Sequence, residues 1–451
     1  MSNNTISFID LFSGLGGIRI GFEQALAERG LRGKCVFTSE IKRSAIKALN
    51  ENFKGKNIEP VDITKVTKED IPDFNVLLGG FPCQAFSSAG LQRGFADTRG
   101  TLFFDVQRVL KDHIKSVDGF ILENVEGLVT HDREHPSDKI GRTLKTIMHI
   151  LTDELGFNAN YIVLNAADFG VPQYRKRVYI VGCKKKFGKV NLSFDKTEEK
   201  PVGECLESGL PVLSNSFSRK ILKHFSLSEL NGKALKDKRG GSSNIHSWEF
   251  DYKGKVSDEE KKLLNALLLQ RRKRKWAEEI GVKWMDGMPL TTKQIGTFFN
   301  SPNLQKMLDD LTEKKYLVYE YPKKQITEKD ENGNFYTVRI PDKSKEKGYN
   351  IVTGKLSFEI SSFLNVNKPA KTIVAMDMGN IGVVDKDGIR HLTLREGLRI
   401  FGFPESYSLL PFENSPKGIK EGYDLIGNSV CVPVIKAVAL RLLDKISKSK
   451  K

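Results

Sequence analysis

The chain has few of the residues that build disulfide frameworks and zinc sites. Its 451 residues include only five cysteines, Cys35, Cys83, Cys183, Cys205 and Cys431. No two of them form a CxxC pair, and none has a His/Cys spacing typical of metal ligands. Neither a disulfide-rich fold nor a metal site is therefore indicated, and we expect a protein of the reducing cytoplasm that binds no metal.

Long apolar runs and an excess of acidic residues are also missing. No stretch of about 18 uninterrupted apolar residues occurs, and the N-terminal segment MSNNTISFIDLF lacks a charged region followed by a long apolar one. We therefore expect a soluble, unexported protein with no membrane partner. We also expect it to be a monomer. Lys and Arg number 72 against 56 Asp and Glu, a formal charge of +16 that favours a polyanionic partner. The length favours two domains.

The first 184 residues alternate short apolar runs with longer amphipathic segments. This alternation predicts an α/β fold with a doubly wound, mostly parallel sheet. Ligands of such sheets bind at the carboxyl ends of the strands. The predicted strands are ISFIDLF, KCVFTSE, FNVLLGG, VDGFILEN, YIVLNA and RVYIVG, and the predicted helices cover 17–29, 42–53, 101–115 and 138–155.

The middle region, 186–369, interrupts this alternation and predicts a second, smaller, mixed α+β domain. Ser257 and Glu260 form a capping box that opens a predicted helix extending to about residue 280 and carrying the basic run RRKRK at 271–275. The order helix, turn, helix and hairpin near 288–322 resembles a winged helix-turn-helix. The polar segment 323–350, with Asn332-Gly333 at a turn, predicts an exposed hairpin or loop. The flanking parts, 1–185 and 370–451, are then one domain that is split in sequence.

The turn DLFSGLGG at 10–17 follows a strand and opens a helix. Its glycines allow backbone N–H groups to approach a ligand at a positive helix terminus. Enzymes of NAD, FAD and S-adenosylmethionine share such turns, and a purely structural turn is an alternative. Glu40, at the end of the second strand, is placed to bind ribose hydroxyls, and Asp62-Ile63, after the third, to address an adenine. The alternative for all three is an ordinary loop residue.

Two further motifs place reactive side chains at the same edge of the sheet. GGFPCQAFS at 79–87 puts Cys83 directly after a buried strand, although most lone cysteines are inert core residues. ENVEGL at 123–128 puts Glu123 at the end of the next strand. A carboxyl group at the end of a hydrophobic strand can have a raised pKa and donate a proton.

The blocks DLFSGLGG, GGFPCQAFS, ENV, QYRKR and YDLIGNSV, in this order and spacing, resemble the signature blocks of the C5 cytosine DNA methyltransferase family. The resemblance covers roughly 6–184 and 370–447, and the middle region takes the place of that family's target recognition domain. It implies transfer of a methyl group from S-adenosylmethionine to C5 of a flipped-out cytosine in duplex DNA. It also implies a cognate restriction endonuclease as a functional, not physical, partner.

The resemblance assigns roles to particular residues. Cys83 would add to C6, Glu123 would protonate or hydrogen-bond N3, Arg175 would bind the base O2, and Arg177 would support the loop and Glu123. A surface basic cluster is the alternative for the two arginines. The residues that would line the cofactor pocket are Phe12, Gly14, Leu15, Gly16, Glu40, Asp62, Ile63, Pro82, Leu102, Asn428, Ser429 and Val430. The closing helix, 433–446, should pack beside the first.

DNA contacts are expected from three places. The loop 84–100, with Gln84, Ser87, Arg93 and Arg99, would close over the flipped base and fill the vacated stack. Thr372 resembles the short element that helps to hold the flipped nucleotide, with a plain strand residue as the alternative. In the middle region, Arg271, Arg272 and Lys273 would contact phosphates, with a solvated helix face as the alternative.

Three rival functions remain at this point. Some relatives with the same motifs methylate RNA, although the large basic middle region favours duplex DNA. A DNA-binding regulator with an inactive core is a second rival, and the presence of Cys83, Glu123, Arg175 and Arg177 argues against it. A nicotinamide-dependent oxidoreductase is a third, and the absence of GxGxxG spacing in DLFSGLGG argues against that.

Overall fold

The computed structural model describes residues 5–55, 57–82, 102–329, 335–353 and 358–447. In chain order, the elements of the first part are β1 (Thr5–Leu11), α1 (Gly17–Glu28), β2 (Arg32–Ser39), α2 (Arg43–Asn52), β3 (Val76–Gly79), α3 (Leu102–Asp112), β4 (Gly119–Val125), α4 (Arg142–His149), β5 (Phe157–Asn165) and β6 (Lys176–Lys184). A single π-helical turn, Ile150–Glu154, continues α4.

The middle part contains α5 (Ser216–His224), α6 (Leu227–Leu230), β7 (Ala234–Leu235), β8 (Asn244–Ile245), α7 (Asp258–Gln270), α8 (Arg274–Ile280), α9 (Thr292–Gly296), α10 (Leu304–Glu313), β9 (Leu317–Glu320), β10 (Lys323–Lys329), β11 (Phe335–Pro341), β12 (Gly348–Ile351) and β13 (Ser362–Phe363). The last part contains α11 (Ala375–Met378), β14 (Ile381–Asp385), β15 (Gly388–His391), α12 (Leu394–Ile400), α13 (Leu410–Glu413), α14 (Pro416–Gly427) and α15 (Val432–Ile446).

The described residues divide into two compact units. The first unit comprises residues 1–207, 365–379 and 392–451, and the second comprises 208–364 and 380–391. These bounds differ from the predicted ones at 185 and 370. Residues 186–207 belong to the first unit, where Val202 and Gly203 donate backbone hydrogen bonds to Lys368 and Val366. Residues 380–391 belong to the second unit because β14 pairs with β13.

A six-stranded sheet in the order β2-β1-β3-β4-β6-β5 forms the centre of the first unit. The strands β2, β1, β3 and β4 are parallel, and β6 alone runs antiparallel to both of its neighbours. The strands are rich in buried apolar residues, as expected for a sheet covered on both faces. The prediction of a doubly wound, mostly parallel sheet is confirmed.

The position of Asp62 and Ile63 differs from the prediction. Both precede β3 and form a short 3-10 turn after α2, with Asp62 at its start. The Asp62 side chain accepts hydrogen bonds from the backbone N–H and the hydroxyl of Thr64, which favours a turn over continued strand. The expectation that they follow the third strand is therefore wrong.

The closing helix α15 packs along α1, as predicted. A Cβ added at Gly21 of α1 would lie 2.7 Å from Cβ of Ile435, so glycine allows the two helices to approach this closely. The stretch Pro416–Ile446, which spans α14 and α15, is long and apolar enough to cross a membrane. Two thirds of its most apolar window is buried inside the protein, as in a core helix of a soluble domain.

The second unit has two hydrophobic cores. One surrounds a five-stranded sheet in the order β15-β14-β13-β7-β8. The other joins α7–α10 to the antiparallel pair β9 and β12. The exposed hairpin predicted for 323–350 is present as the antiparallel pair β10 and β11, and its turn at Asn332-Gly333 lies outside the described residues.

The predicted single helix from 258 to about 280 is wrong, because the chain breaks between α7 and α8. The indole N–H of Trp276 donates to the carbonyl of Gln270 at 2.9 Å, and that of Trp284 donates to Arg272 at 2.9 Å. The backbone N–H of Met288 donates to the carbonyl of Arg271 at 2.8 Å. These donors satisfy carbonyl groups at the helix end without a further turn.

Candidate active site

The turn between β1 and α1 has a backbone that favours ligand approach. Phe12, Gly14 and Gly16 have φ values of 56°, 54° and 71°. A left-handed conformation at the non-glycine residue Phe12 is uncommon and tends to occur at functional sites. A Cβ added at Gly14 would meet nothing within 4 Å, so open space lies beside this residue.

The predicted ribose carboxylate, Glu40, lies against this turn. Its Oε2 accepts a hydrogen bond from the backbone N–H of Gly14 at 2.8 Å. Its Oε1 accepts from Ile41 and Lys42 at 2.9 and 2.8 Å. Each carboxylate oxygen has two lone pairs, so Oε2 retains capacity for a second donor.

The predicted adenine element is joined to the same edge. The N–H of Val61 donates to the carbonyl of Glu40 at 2.7 Å, which places Asp62 and Ile63 next to it. Arg108 of α3 donates to the carbonyl of Ile63 at 2.7 Å. Leu102, the first residue of α3, packs partly buried against the same core as Phe12.

The C-terminal block returns to the N-terminal turn, as predicted. A Cβ added at Gly17 would lie 2.9 Å from Cγ2 of Val430 and 3.1 Å from Oγ of Ser429. The hydroxyl of Tyr407 donates to the carbonyl of Leu15 at 2.7 Å. Asn428 is exposed at the end of α14. The cofactor residues predicted from both ends of the chain therefore meet at one place.

Asp10 is a functional candidate that the sequence motifs do not single out. It is completely buried, and neither carboxylate oxygen has a hydrogen-bond partner among the described residues. The Ser13 hydroxyl donates to the backbone carbonyl of Asp10 instead. Burial raises the pKa of the carboxyl group to about 7. The available signal was an acidic residue inside the apolar strand ISFIDLF.

Glu123 and Arg177 form an ion pair at the end of β4. The Nε of Arg177 lies 3.2 Å from Oε1 of Glu123, and both side chains are largely buried. Burial raises the pKa of Glu123, and the nearby Arg177 and Arg175 partly oppose this shift. A Cβ added at Gly80 would lie 3.6 Å from Oε2 of Glu123, so the carboxylate faces the segment that leads to Cys83.

The chain immediately before Cys83 is held against β4. The buried side chain of Asn124 donates from Nδ2 to the carbonyl of Phe81 at 3.1 Å. Pro82, half-buried, is the last described residue of this segment. Cys83 itself lies outside the described residues, as do Gln84, Ser87, Arg93 and Arg99.

Arg175 does not have the predicted arrangement. Its guanidinium is buried and donates to the carbonyls of Ile373, Gly427 and Ser429 at 2.8, 3.2 and 2.7 Å. Burial lowers its pKa to about 10. Both terminal nitrogens of the Arg175 guanidinium are bound to these carbonyls. The expected contact of Arg175 with a base O2 is therefore wrong. A surface basic cluster is equally wrong for this residue.

Thr372 lies beside the QYRKR block and outside any strand. Its hydroxyl donates to the carbonyl of Tyr174 at 2.5 Å. The N–H of Ile373 donates to the side chain of Gln173 at 3.1 Å, and Ala370 pairs with Gln173. The 370–373 segment and the QYRKR block are thus one structural element.

The residues of RRKRK that were predicted to contact phosphates differ in burial. Arg271 is 1% exposed, and it donates to Asn350 Oδ1 at 2.7 Å and to the carbonyl of Lys238 at 3.2 Å. The expected phosphate contact at Arg271 is therefore wrong, because the side chain points into the core. Arg272 forms an ion pair with Asp286 at 2.5 Å. Lys273 is exposed.

Within the described ranges, no group of three or more His, Cys, Asp or Glu side chains has an arrangement that could hold a metal ion. The site at the sheet edge instead combines glycine turns, carboxylates and one ion pair. Such a set suits an organic ligand that carries hydroxyl groups and positive charge.

Comparison with known proteins gives one consistent family. Residues 6–444 match the model of the family described as C-5 cytosine-specific DNA methylase. The chain is 56% identical over 438 residues to the Type II methyltransferase M.NlaIV of Neisseria lactamica, covering 97% of this chain and 99% of that relative. It is 54% identical to the Type II methyltransferase M.NgoBV of Neisseria gonorrhoeae, with the same coverage. The solved structure of the Entamoeba histolytica methyltransferase EhMeth aligns over 98% of each chain with a TM-score of 0.51 and 15% identity, a likeness of fold.

Proposed function

Because the chain belongs to the C-5 cytosine-specific DNA methylase family, it is a DNA (cytosine-5-)-methyltransferase, and we propose that Cys83 is its nucleophile. The observation that carries this proposal is the set of contacts at the end of β4. There Glu123 pairs with Arg177, and Asn124 holds the carbonyl of Phe81, two residues before Cys83. A carboxyl group with a raised pKa, a cation and the segment that leads to Cys83 therefore lie at one sheet edge, which supports the proposal.

The chemistry requires such a set, because C5 of cytosine is too weak a nucleophile to take a methyl group unaided. The Sγ of Cys83 forms a bond to C6, which places electron density on C5. Glu123 donates a proton or hydrogen bond to N3 and so stabilises the negative charge that develops on the ring. C5 then takes the methyl group, loses its proton to a base, and the Sγ–C6 bond breaks to release 5-methylcytosine.

Arg177 is the arginine that we assign to the base O2. Its guanidinium already lies beside Glu123, the group proposed to hold N3, and O2 is bonded to the ring carbon next to N3. Arg175 is committed to three backbone carbonyls and acts as a positioning residue that joins the QYRKR block to 373 and 427–429.

The cofactor of the family is S-adenosylmethionine, and the residues at the sheet edge fit it. Glu40 retains acceptor capacity for ribose hydroxyls, and the open backbone at Gly14 admits a ligand. The unpartnered carboxylate of Asp10 favours a ligand with positive charge, such as a sulfonium or ammonium group. Once bound, the cofactor supplies the electrophilic methyl group. The residues we assign to its pocket are Asp10, Phe12, Gly14, Leu15, Gly16, Glu40, Asp62, Ile63, Pro82, Leu102, Asn428, Ser429 and Val430.

The substrate is a cytosine within duplex DNA. A stacked base does not expose C6 to a thiol, so the cytosine must leave the helix. We assign the closing contacts to the loop 84–100 and to Thr372, and target recognition to the second unit. The net charge of +16 supports a polyanionic partner.

The biological role that fits best is protection of DNA against a cognate restriction endonuclease. Relatives at 54–56% identity carry the name Type II methyltransferase and come from bacteria. We place the protein in the cytoplasm as a monomer, with the endonuclease as a functional partner only.

A methyl-transfer assay tests this function. Wild-type protein with tritiated S-adenosylmethionine should label duplex DNA and not transfer RNA, and label entering only RNA would refute the DNA assignment. Cys83→Ser should abolish turnover while DNA binding survives, because the hydroxyl is a far weaker nucleophile than a thiolate. Full activity of this variant would overturn the mechanism. A wild-type chain that binds DNA without transferring label would favour a regulator.

A further inference from the structure

The second unit contains a complete winged-helix arrangement that is larger than the predicted segment at 288–322. Leu290 pairs antiparallel with Tyr349 of β12, and β12 pairs antiparallel with β9. Between Leu290 and β9 the chain forms α9 and α10, and between β9 and β12 it forms the hairpin β10–β11. The order is strand, helix, helix, strand, hairpin and strand. The module therefore extends to Ile351.

This module has its own hydrophobic core. Leu308 and Leu311 of α10, Leu290 and Ile295 are completely buried, and α7 contributes Leu263, Leu264 and Leu267 to the same cluster. One face of α10 is thus fixed against the body of the module. The opposite face is exposed and includes Gln305, Lys306, Asp309 and Glu313.

Polar contacts fix the orientation of α10. The hydroxyl of Thr292 donates to Oε1 of Gln305 at 2.9 Å, and Nε2 of Gln305 donates to Asp309 and to the Tyr349 hydroxyl, both at 2.8 Å. Gln305 and Asp309 are therefore engaged within the protein. Within the described ranges, the exposed side chains of Asn303 and Lys306 make no hydrogen bond, and Lys306 acts on Asp310 only through its charge, so both remain available at the N-terminal end of the helix.

The hairpin and its flank carry a small excess of positive charge, which a contact with nucleic-acid phosphates requires. The hairpin and the segment that follows it, 323–347, contain seven basic and five acidic residues. At its base a cavity of about 540 Å³ is lined by residues that include Lys323, Arg339 and the buried Arg271. Two of the three acidic residues of α10 are engaged, since Asp310 pairs with Lys314 at 2.5 Å and Asp309 accepts from Gln305, and the third, Glu313, lies at the C-terminal end of the helix.

We propose that α10 enters the major groove of the target duplex, that Asn303 and Lys306 read base edges, and that the hairpin β10–β11 lies on the phosphate backbone. Helix-turn-helix proteins read bases with the N-terminal residues of the second helix, which here are the residues left available. Asparagine suits adenine and lysine suits guanine in the major groove. The inference rests on the proposed function, because it assigns the target recognition of the same enzyme.

The test compares helix and hairpin variants on one duplex. Bisulfite sequencing of DNA from cells that express the wild type first defines the methylated sequence. The ratio of the binding constants for the target duplex and for a duplex with one base pair changed measures discrimination. Asn303→Ala and Lys306→Ala should each lower this ratio by about tenfold or more. The double variant Lys324→Ala/Lys329→Ala should weaken binding to both duplexes alike and reduce the salt dependence of the binding constant. Lys262→Ala, an exposed cation on α7, is the matched control and should change neither.

Wild-type discrimination in both helix variants, together with an unchanged salt dependence in the hairpin variant, would overturn the proposal. Circular dichroism confirms folding, and Lys306→Gln provides a second, milder change at the helix. Failure of the proposed function has a different signature, because the wild type would then transfer no methyl group to any duplex. The binding measurements remain informative in that case, since they do not depend on turnover.

Discussion

The Nε of Arg177 lies 3.2 Å from Oε1 of Glu123 at the carboxyl end of β4. Burial raises the pKa of this glutamic acid, and the arginine lowers it, so the two effects oppose each other. In the proposed mechanism this pair supplies the acid for N3 and the cation for O2. The pH–rate profile of the enzyme should therefore depend on the pKa of Glu123.

Replacing Arg177 with alanine should move the falling limb of the pH–rate profile to higher pH. Without the cation the pKa of Glu123 rises further, so the protonated acid persists to higher pH. The rate at the optimum should fall by about 100-fold, because a donor to the ring is lost. Single-turnover methyl transfer from pH 5 to 9 measures both effects. Lys176→Ala, an exposed neighbour, is the control, and an identical profile in both variants would contradict the assignment.

Asn124 should control the placement of the nucleophile and not the binding of the cofactor. Asn124→Asp puts a carboxylate oxygen opposite the carbonyl of Phe81 and removes the hydrogen bond that holds the segment before Cys83. Covalent capture of a duplex with 5-fluorocytosine at the target, followed on denaturing gels, should slow at least tenfold. Calorimetric affinity for S-adenosylmethionine should change little. Asn160→Asp, which disturbs a similar bond to Val190, is the matched control and should leave capture unchanged.

The buried carboxyl group of Asp10 should make the cofactor-free protein less stable as pH rises. Its pKa is raised in the folded state, so between about pH 4 and pH 7 the folded chain holds a proton that the unfolded chain releases. The free energy of unfolding should fall across this window by up to about 4 kcal/mol. Asp10→Asn should remove that slope and weaken cofactor binding. Denaturant titrations at several pH values measure the first effect and calorimetry the second. An unchanged slope would show that Asp10 is not buried as described.

Arg271 should contribute to stability and Lys273 should not. Arg271→Ala removes one of the two donors to Asn350 Oδ1, leaves the Lys238 carbonyl without the Arg271 donor and creates a cavity, so the free energy of unfolding should fall by about 3 kcal/mol. Lys273→Ala, at an exposed position, should change it by less than about 0.5 kcal/mol. Thermal unfolding followed by circular dichroism measures both. Equal effects in the two variants would argue against the different burial of these neighbours.

The family, the doubly wound sheet and the residues that meet at its carboxyl edge were predictable from the sequence. Glycine turns, buried strands and the residues at strand ends are local features, and their order along the chain is readable without coordinates. Parallel strands bring their carboxyl ends to one edge, so Phe12, Glu40 and Glu123 could be predicted to converge. The same reasoning gave the helix-turn-helix and hairpin of the second unit, although not its full extent.

The tertiary structure was needed to show which of the two arginines is available to a base, although the support of Glu123 by Arg177 was expected. Arg175 and Arg177 lie two residues apart where the chain enters β6, so their spacing alone does not show which of them is buried. The choice depends on carbonyls at 373, 427 and 429, which are about 200 residues or more away and bind Arg175. The same holds for Arg271, which points inward because Asn350 Oδ1 and the carbonyl of Lys238 accept its hydrogen bonds. A buried cation is placed by its partners, and distant partners are fixed only when the chain folds.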